Sequence, residues 1–244
     1  MAKFQLEKIV RLKVVCWKWF QPNYRSIFNA DHVHILKSMI ERNLDLDHKF
    51  VCITDDPTEL LCDTIELWKE PMVNLPERRP NCYRRLKMFE KNAAEWMDCD
   101  FVLSIDLDVV IVSNITSLVQ DMMNHDFSIW GDTAKNTHYN GSFWGLRLGS
   151  RSSVWNDFDP MKSPIVVNQN GIIGSDQGWI SYHLGDAENK LTKDDGIFSY
   201  RIDLLQQGLK SPPERAKMIF FHGNHDPQSA ETLFESPWIR DFYF

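Results

Sequence analysis

The sequence predicts an α/β chain with an open, mainly parallel central sheet flanked by helices. Three observations carry this. Apolar runs and amphipathic segments alternate over the first 112 residues, the run FVLSIDLDVVIV at 101–112 is apolar enough for a strand buried on both faces, and 244 residues with 43% hydrophobic content can bury a full core. In such sheets ligands bind beyond the carboxyl ends of the strands.

RLKVVCW at 11–17 is the first strand. YRSIFNADHVHILKSMIERN at 24–43 follows as a helix, with Ile27, Val33, Ile35, Leu36, Met39 and Ile40 at helical spacing. KFVCIT at 49–54 is the second strand and stops at Asp55, Asp56 and Pro57, a turn signal. After DTIELW at 63–68, NCYRRLKMFEKNAAEWM at 81–97 reads as a helix with Asn81 as N-cap. Cys82, Leu86, Phe89, Ala93 and Trp96 form its apolar stripe, while Arg84, Arg85, Lys87 and Lys91 lie off it. The second half has shorter apolar pieces (FSIW, GSFWGLRLG, AKMIFF) and one expected helix, SDQGWISYHLG. There is no internal repeat or low-complexity tract.

The net charge of -7 gives no basic face for general nucleic-acid binding, which depends on displacing counterions from phosphates. The opening MAKFQLEKIVRLKVVCW is charged throughout, and no apolar run approaches the roughly 18 residues of a membrane span. The expectation is a soluble, cytoplasmic chain without a membrane span. Five cysteines, never spaced as CxxC, fit reduced and mostly buried thiols.

The strand at 101–112 carries two carboxylates, Asp106 and Asp108. An ionised carboxylate leaves water at a cost of several kcal/mol unless a cation meets it, so the strand should end near Asp106 and deliver the pair to a crevice. The same Asp-x-Asp spacing recurs at 45/47, 98/100 and 157/159, in polar connections or before a strand. Only Asp106 and Asp108 terminate a buried strand. The pair could cap the next turn, but hard oxygen ligands suit Mg²⁺ or Mn²⁺, with substrate phosphates completing the shell. A second apolar strand, in AKMIFFHGNHDP at 216–227, ends on His222 and Gly223. Histidine can ligate a metal, and a glycine lets a phosphate approach the backbone.

In order along the chain, these segments resemble the glycogenin-like, nucleotide-sugar-dependent glycosyltransferases of the GT-A fold. VVCWKW resembles the nucleotide-binding start, CYRRLKMFE the basic helix before the metal strand, and FVLSIDLDVVIV the DxD strand. YNGSFWGLRLGS resembles the segment lining the donor sugar, GSDQGWI the Asp-Gln helix start, and MIFFHGNHDP the closing His-Gly motif. The resemblance implies one GT-A domain over 1–244, with 1–112 as the nucleotide and metal half and 113–244 as the sugar and acceptor half. Asp106, Asp108 and His222 would hold Mn²⁺ or Mg²⁺ on the diphosphate of a UDP-sugar. Gly223 would offer its amide to the β-phosphate, and Arg85 or Arg84 would reach the phosphates or brace the aspartates. Trp17 and the turn from Thr54 through Asp55 to Asp56 would frame the uracil. Asp132, Asn140 and Gly141 would line the donor sugar, and Asp176 and Gln177 would lie under the anomeric carbon, whose configuration is retained in the family.

This chain departs from the pattern twice. Asp226 precedes Pro227 where the family carries a lysine that steadies the leaving diphosphate, and Lys217, Arg85 and His225 are the open substitutes. Asn140-Gly141-Ser142 inverts the middle pair of the sugar-lining segment. Asp176 has two readings, a carboxylate that stabilises oxocarbenium character and an N-cap for the helix that follows. Trp144 and Trp179 could stack on a sugar, but in a chain with nine tryptophans they read as core. The acceptor, whether glycan, lipid-linked sugar, protein hydroxyl or modified base, has no readable motif. Two other functions compete. A nucleotidyltransferase would want a Gly-rich basic loop after the first strand, and VVCWKWFQPNY has no glycine. A non-catalytic nucleotide-sugar or glycan-binding module would fit Asp226 but has no need of Asp106, Asp108, His222 and Asp176 together.

Overall fold

Among the described residues there are ten short strands, most of them on the apolar runs of the sequence. They are β1 (Leu12–Lys18), β2 (His48–Thr54), β3 (Asp63–Glu66), β4 (Phe101–Ile105), β5 (Val109–Ile111), β6 (Phe127–Gly131), β7 (Tyr139–Arg147), β8 (Asn189–Leu191), β9 (Ile197–Ser199) and β10 (Met218–Phe220). This computed structural model describes residues 10–20, 27–70, 81–131, 136–172, 175–223 and 225–244. Seven strands form one sheet in the order β3-β2-β1-β4-β7-β6-β8. All neighbours in it are parallel except β7, which runs against both β4 and β6. A smaller sheet, β5-β10-β9, begins where β4 ends.

Burial on both faces explains the unbroken apolar runs. Along β1, Val14 and Cys16 face one core with Val33 and Leu36, while Val15 and Trp17 face the other with Tyr83 and Leu86. Helix α1 (Ala30–Asn43) covers the first face through Val33, Leu36, Met39 and Ile40, all fully buried. It starts later than the sequence pattern suggested, and residues 24–26 of the expected helix lie outside the described residues. Asn29 stops it: its side chain accepts the His32 N–H, and the His32 ring accepts the Asn29 N–H, a reciprocal cap that fixes Ala30 as the first helical residue. Burial lowers the His32 pKa, which keeps the ring neutral and able to accept. Ile27 is left exposed.

The segment 81–97 differs from the expected single α-helix. It forms a 3-10 helix over Asn81–Phe89 and then a short α-helix, α2 (Ala93–Met97). At about three residues per turn, side chains three apart eclipse one another. Tyr83, Leu86 and Phe89 therefore share one buried row, Arg85 shares a second with buried Met88, and Arg84 and Lys87 share a third, half-buried row. An α-helical reading groups Arg84 with Arg85 off the apolar stripe. The tighter helix separates them and turns Arg85 inward.

The second half holds more helix than expected, including α3 (Thr116–Met122), α4 (Ser153–Asn156) and α5 (Ser163–Gln169) before α6 (Asp176–Leu184). The first three are too short to show a full amphipathic period. Among the described residues no helix is long and apolar enough to cross a membrane. All five cysteines are free. Cys16 and Cys52 face each other across β1 and β2, and burial raises the Cys16 thiol well above its ordinary value. Burial also pushes Cys62, Cys82 and Cys99 up to about 11, so these thiols stay protonated near neutral pH.

Gly145 on β7 offers a test of the core. A Cβ there would lie 2.8 Å from the Phe101 ring and 2.9 Å from the Met122 methyl, both fully buried. Gly145→Ala is expected to lower stability by about 1–3 kcal/mol through overpacking. An unchanged urea midpoint would show that the two side chains can yield.

Candidate active site

The chain leaves β1 toward β2 and β3 on one side and returns to β4 on the other, so β1 and β4 flank the point where strand order reverses. A crevice forms there, beyond the strand ends. β1 delivers Lys18 to it and β4 delivers Asp106. β7 starts on the same rim, because it runs antiparallel to β4 with Ile105 opposite Phe143 and the Asp106 N–H donating to the Ser142 carbonyl at 2.9 Å. Asn140 and Gly141 are thereby placed beside Asp106.

Arg85 ties this rim together. Its Nη1 donates to Asp106 Oδ1 at 2.6 Å and to the Gly141 carbonyl at 3.1 Å, and its Nε donates to Asp176 Oδ2 at 2.7 Å. Nη2 adds a 3.3 Å bond to Asp176 Oδ1, so the Asp176 contact is bidentate. Burial alone would lower the Arg85 pKa, but the charges of Asp176 and Asp106 outweigh it and hold the guanidinium well above its ordinary value. Arg85 therefore stays charged. Arg84 points elsewhere: its Nη1 donates to the Trp68 carbonyl at 2.5 Å, and the Trp68 indole donates back to the Arg84 carbonyl at 2.8 Å. Of the two arginines, only Arg85 meets the carboxylates.

Asp176 is the first residue of α6 and 1% exposed. Its carboxylate accepts from Arg85 and from the Ser175 hydroxyl at 2.7 Å. Ser175 stands at the cap position, so the cap reading of Asp176 is not the arrangement observed. Gln177 is half-buried, and its Oε1 accepts the Gly141 N–H at 3.1 Å. A Cβ on Gly141 would come within 3.2 Å of Arg85 Nη2, so only glycine leaves the arginine its full room. Asn140 folds its own Oδ1 back onto the Ser142 N–H at 2.9 Å. Trp144 and Trp179 are core residues, the second with its indole N–H on the Val154 carbonyl. Asp132 lies outside the described residues.

Asp108 and His222 are brought near one another by a route the sequence did not reveal. β10 is not a strand of the main sheet. It pairs antiparallel with β5, with Phe220 opposite Val109, and the Phe221 N–H donates to the Asp108 carbonyl at 2.9 Å. The chain that runs into His222 thus adjoins Asp108. Asp108 is 4% exposed, and the His222 ring stacks on Trp130 with centroids 5.2 Å apart. Gly223 is exposed with φ of +72°, a conformation that a side chain would strain. Asp226 turns back on its own loop, accepting the Gln228 N–H. Lys217 precedes β10, at the end away from His222, and its amine reaches Ser117. It is no substitute for a cation at the closing motif. His225 packs edge-on against Tyr200.

A cleft of about 320 Å³ opens beyond the ends of β1 and β2, lined by Lys18, Trp19, Phe20, Asp55 and Asp56 among others. Thr54 is buried and its hydroxyl accepts the Asp56 N–H, which shapes the turn. Asp55 accepts the Phe20 N–H at 3.0 Å. Trp17 is buried, with its indole N–H on Ser104 Oγ at 2.8 Å. The aromatic lining of the cleft comes from Trp19, Phe20 and Phe28, whereas the sequence reading singled out Trp17 from the same segment. The position of Trp19 and Phe20 directly after the first strand was the available signal.

Two carboxylates and an imidazole suit a divalent cation, and Arg85 takes only one oxygen of Asp106. By residue type alone the three are ligands such an ion accepts. Among the described residues no group of three His, Cys, Asp or Glu side chains is close enough to hold a metal ion, so the structure does not bring Asp106, Asp108 and His222 together as one ligand set.

No model of a protein family matches the chain, and no curated protein matches it. Solved structures do. The galactosyltransferase LgtC, in complex with donor and acceptor sugar analogs, superposes with a TM-score of 0.61 at 15% identity over 95% of this chain and 96% of that one. The chain has the GT-A fold. An active-site mutant of LgtC gives a TM-score of 0.59 at 15% identity over the same shares of both chains. The apo form of the glycosyltransferase GlyE from Streptococcus pneumoniae TIGR4 gives 0.54 at 11% identity, over 91% of this chain and 56% of that one. On this GT-A framework, Asp106 follows β4 at the reversal between β1 and β4, where Arg85 joins it to Asp176.

Proposed function

We propose that the chain is a metal-dependent glycosyltransferase, one catalytic domain that moves a sugar from a nucleotide sugar, a UDP-sugar, to a hydroxyl acceptor with retention of anomeric configuration. The observation that carries this reading is Arg85, buried yet charged, binding Asp106, Asp176 and the Gly141 carbonyl at once. Such a tie fixes two carboxylates and a glycine-lined backbone at one rim. A purely structural salt bridge would have no need to sit at the strand ends.

Roles follow from exposure and partners. The cleft by Trp19 and Phe20 takes the base. Asp106, Asp108 and His222 would hold Mn²⁺ or Mg²⁺, which supplies charge stabilisation on the diphosphate as its bond to the sugar breaks. Gly223, exposed and without a side chain, would let a phosphate come close to the chain. Asp176 is shielded by Arg85, so it acts as a positioning residue that orients the guanidinium. Gln177, held on the Gly141 amide, takes the place under the anomeric carbon, and Asn140 and Gly141 line the sugar. Preorganised groups of this kind favour charge that develops in the transition state.

The test is a thermal-shift screen of UDP-, GDP-, dTDP- and CMP-sugars with and without Mn²⁺. At a hundredfold excess over the dissociation constant, the right donor should add about 2.7 kcal/mol of stability. A metal-dependent shift with a UDP-sugar is expected. Silence from every nucleotide sugar would overturn the donor assignment.

A further inference from the structure

Arg201 stands beside the closing loop, outside every role assigned so far. It lies in a single-turn π-helix, Tyr200–Leu205, that follows β9 directly. β9 runs parallel to β10 with Ser199 opposite Phe220, so the residues after each strand emerge at the same rim. Tyr200 stacks on Phe221 with centroids 4.5 Å apart, which locks the two exits together. Arg201 is exposed, and its Nη1 lies 3.5 Å from where a Cβ on Gly223 would be. The guanidinium therefore hangs over the one residue of the loop that has no side chain. Short π-helical turns of this kind are frequent at functional sites.

Charge makes the placement meaningful. The rim carries Asp106, Asp108, Asp176 and Asp226, and its buried arginine is already shared between two of them. A diphosphate entering such a site meets net negative charge. No ion pair among the described residues engages Arg201, so its fork of donors can be turned to phosphate oxygens.

We infer that Arg201 binds the diphosphate of the donor and of the nucleoside diphosphate product at Gly223. The inference rests on the function proposed above and adds to it a cation from a different element of the chain, in place of one on the closing loop. The experiment is calorimetric binding of UDP, inorganic pyrophosphate and uridine, each with Mn²⁺, to the parent chain and to Arg201→Ala, Arg201→Lys and Lys217→Ala. Arg201→Ala should weaken UDP and pyrophosphate at least tenfold and leave uridine unchanged, Arg201→Lys should fall between, and Lys217→Ala should match the parent. Parent-like UDP affinity in Arg201→Ala, or an equal loss for uridine, would overturn the inference and leave the glycosyltransferase reading standing. A parent chain that binds neither UDP nor pyrophosphate would overturn both.

Discussion

Arg85→Ala is expected to lower folding stability by about 3–5 kcal/mol and to abolish donor binding in the same step. Asp176 is 1% exposed, and its partners are Arg85 and the hydroxyl of Ser175. Removing the arginine strands a buried carboxylate and leaves Asp106 without its counter-ion, which is the costly way to break such a cluster. For a chain of this size the loss corresponds to a melting temperature roughly 10 °C lower. A companion variant separates stability from function. Arg85→Met with Asp176→Leu removes the ion pair as a unit and fills its volume, so it should recover most of the stability, because Asp106 still reaches solvent. It should recover none of the donor binding. Urea midpoints and UDP thermal shifts measure both. A loss below about 1 kcal/mol in Arg85→Ala would mean that the cluster is looser than its 2.6 and 2.7 Å contacts suggest.

The carboxylate pair was legible because burial and charge conflict in one short run. FVLSIDLDVVIV could not hold Asp106 inside a strand, and β4 does end at Ile105. What meets Asp106 was legible only as a pair of candidates, Arg85 or Arg84, and only through the family resemblance. The sequence pattern alone could not choose between them, since an α-helical period places both off the stripe of Cys82, Leu86 and Phe89. Helix type is decided by packing. Tyr83, Leu86 and Phe89 together with Met88 fill the space under the sheet, and the tighter winding that allows this turns Arg85 toward Asp176, 91 residues away.

The same limit applies to the closing motif. That AKMIFF makes a strand ending at His222 is readable from its apolar run. Its partner is not, because strand pairing depends on contacts far apart in sequence. The expectation of one parallel rim placed His222 near the aspartates for the wrong reason. The antiparallel pairing of β10 with β5 does so instead, and it brings β9 and Arg201 along. Trp17 shows the opposite error. An aromatic at a strand end reads as a ligand platform, yet alternation along β1 sends it into the core, and the ring left exposed is Phe20, with Trp19 half-buried between them.

Asp108→Asn is expected to fold and to lose the Mn²⁺-dependent stabilisation by UDP, the full 2.7 kcal/mol or so that a hundredfold excess of ligand gives the parent. Asp108 carries a side chain that is 4% exposed at the start of the small sheet, and its backbone carbonyl is already used by Phe221. That contact with Phe221 is made by the main chain and survives the substitution, whereas the charge that a divalent cation needs does not. His222→Ala should weaken the same signal strongly. His225→Ala should weaken it little, because that ring packs on Tyr200, 5.4 Å between centroids, three residues beyond the point where the chain adjoins Asp108. Metal-free melting temperatures of the three variants act as the reference, and the comparison is made on the Mn²⁺-dependent increment alone. Small and equal increments lost by His222→Ala and His225→Ala would leave the cation to the aspartates and the diphosphate. Full retention in Asp108→Asn would make the carboxylate pair a structural device and remove the metal from the reaction.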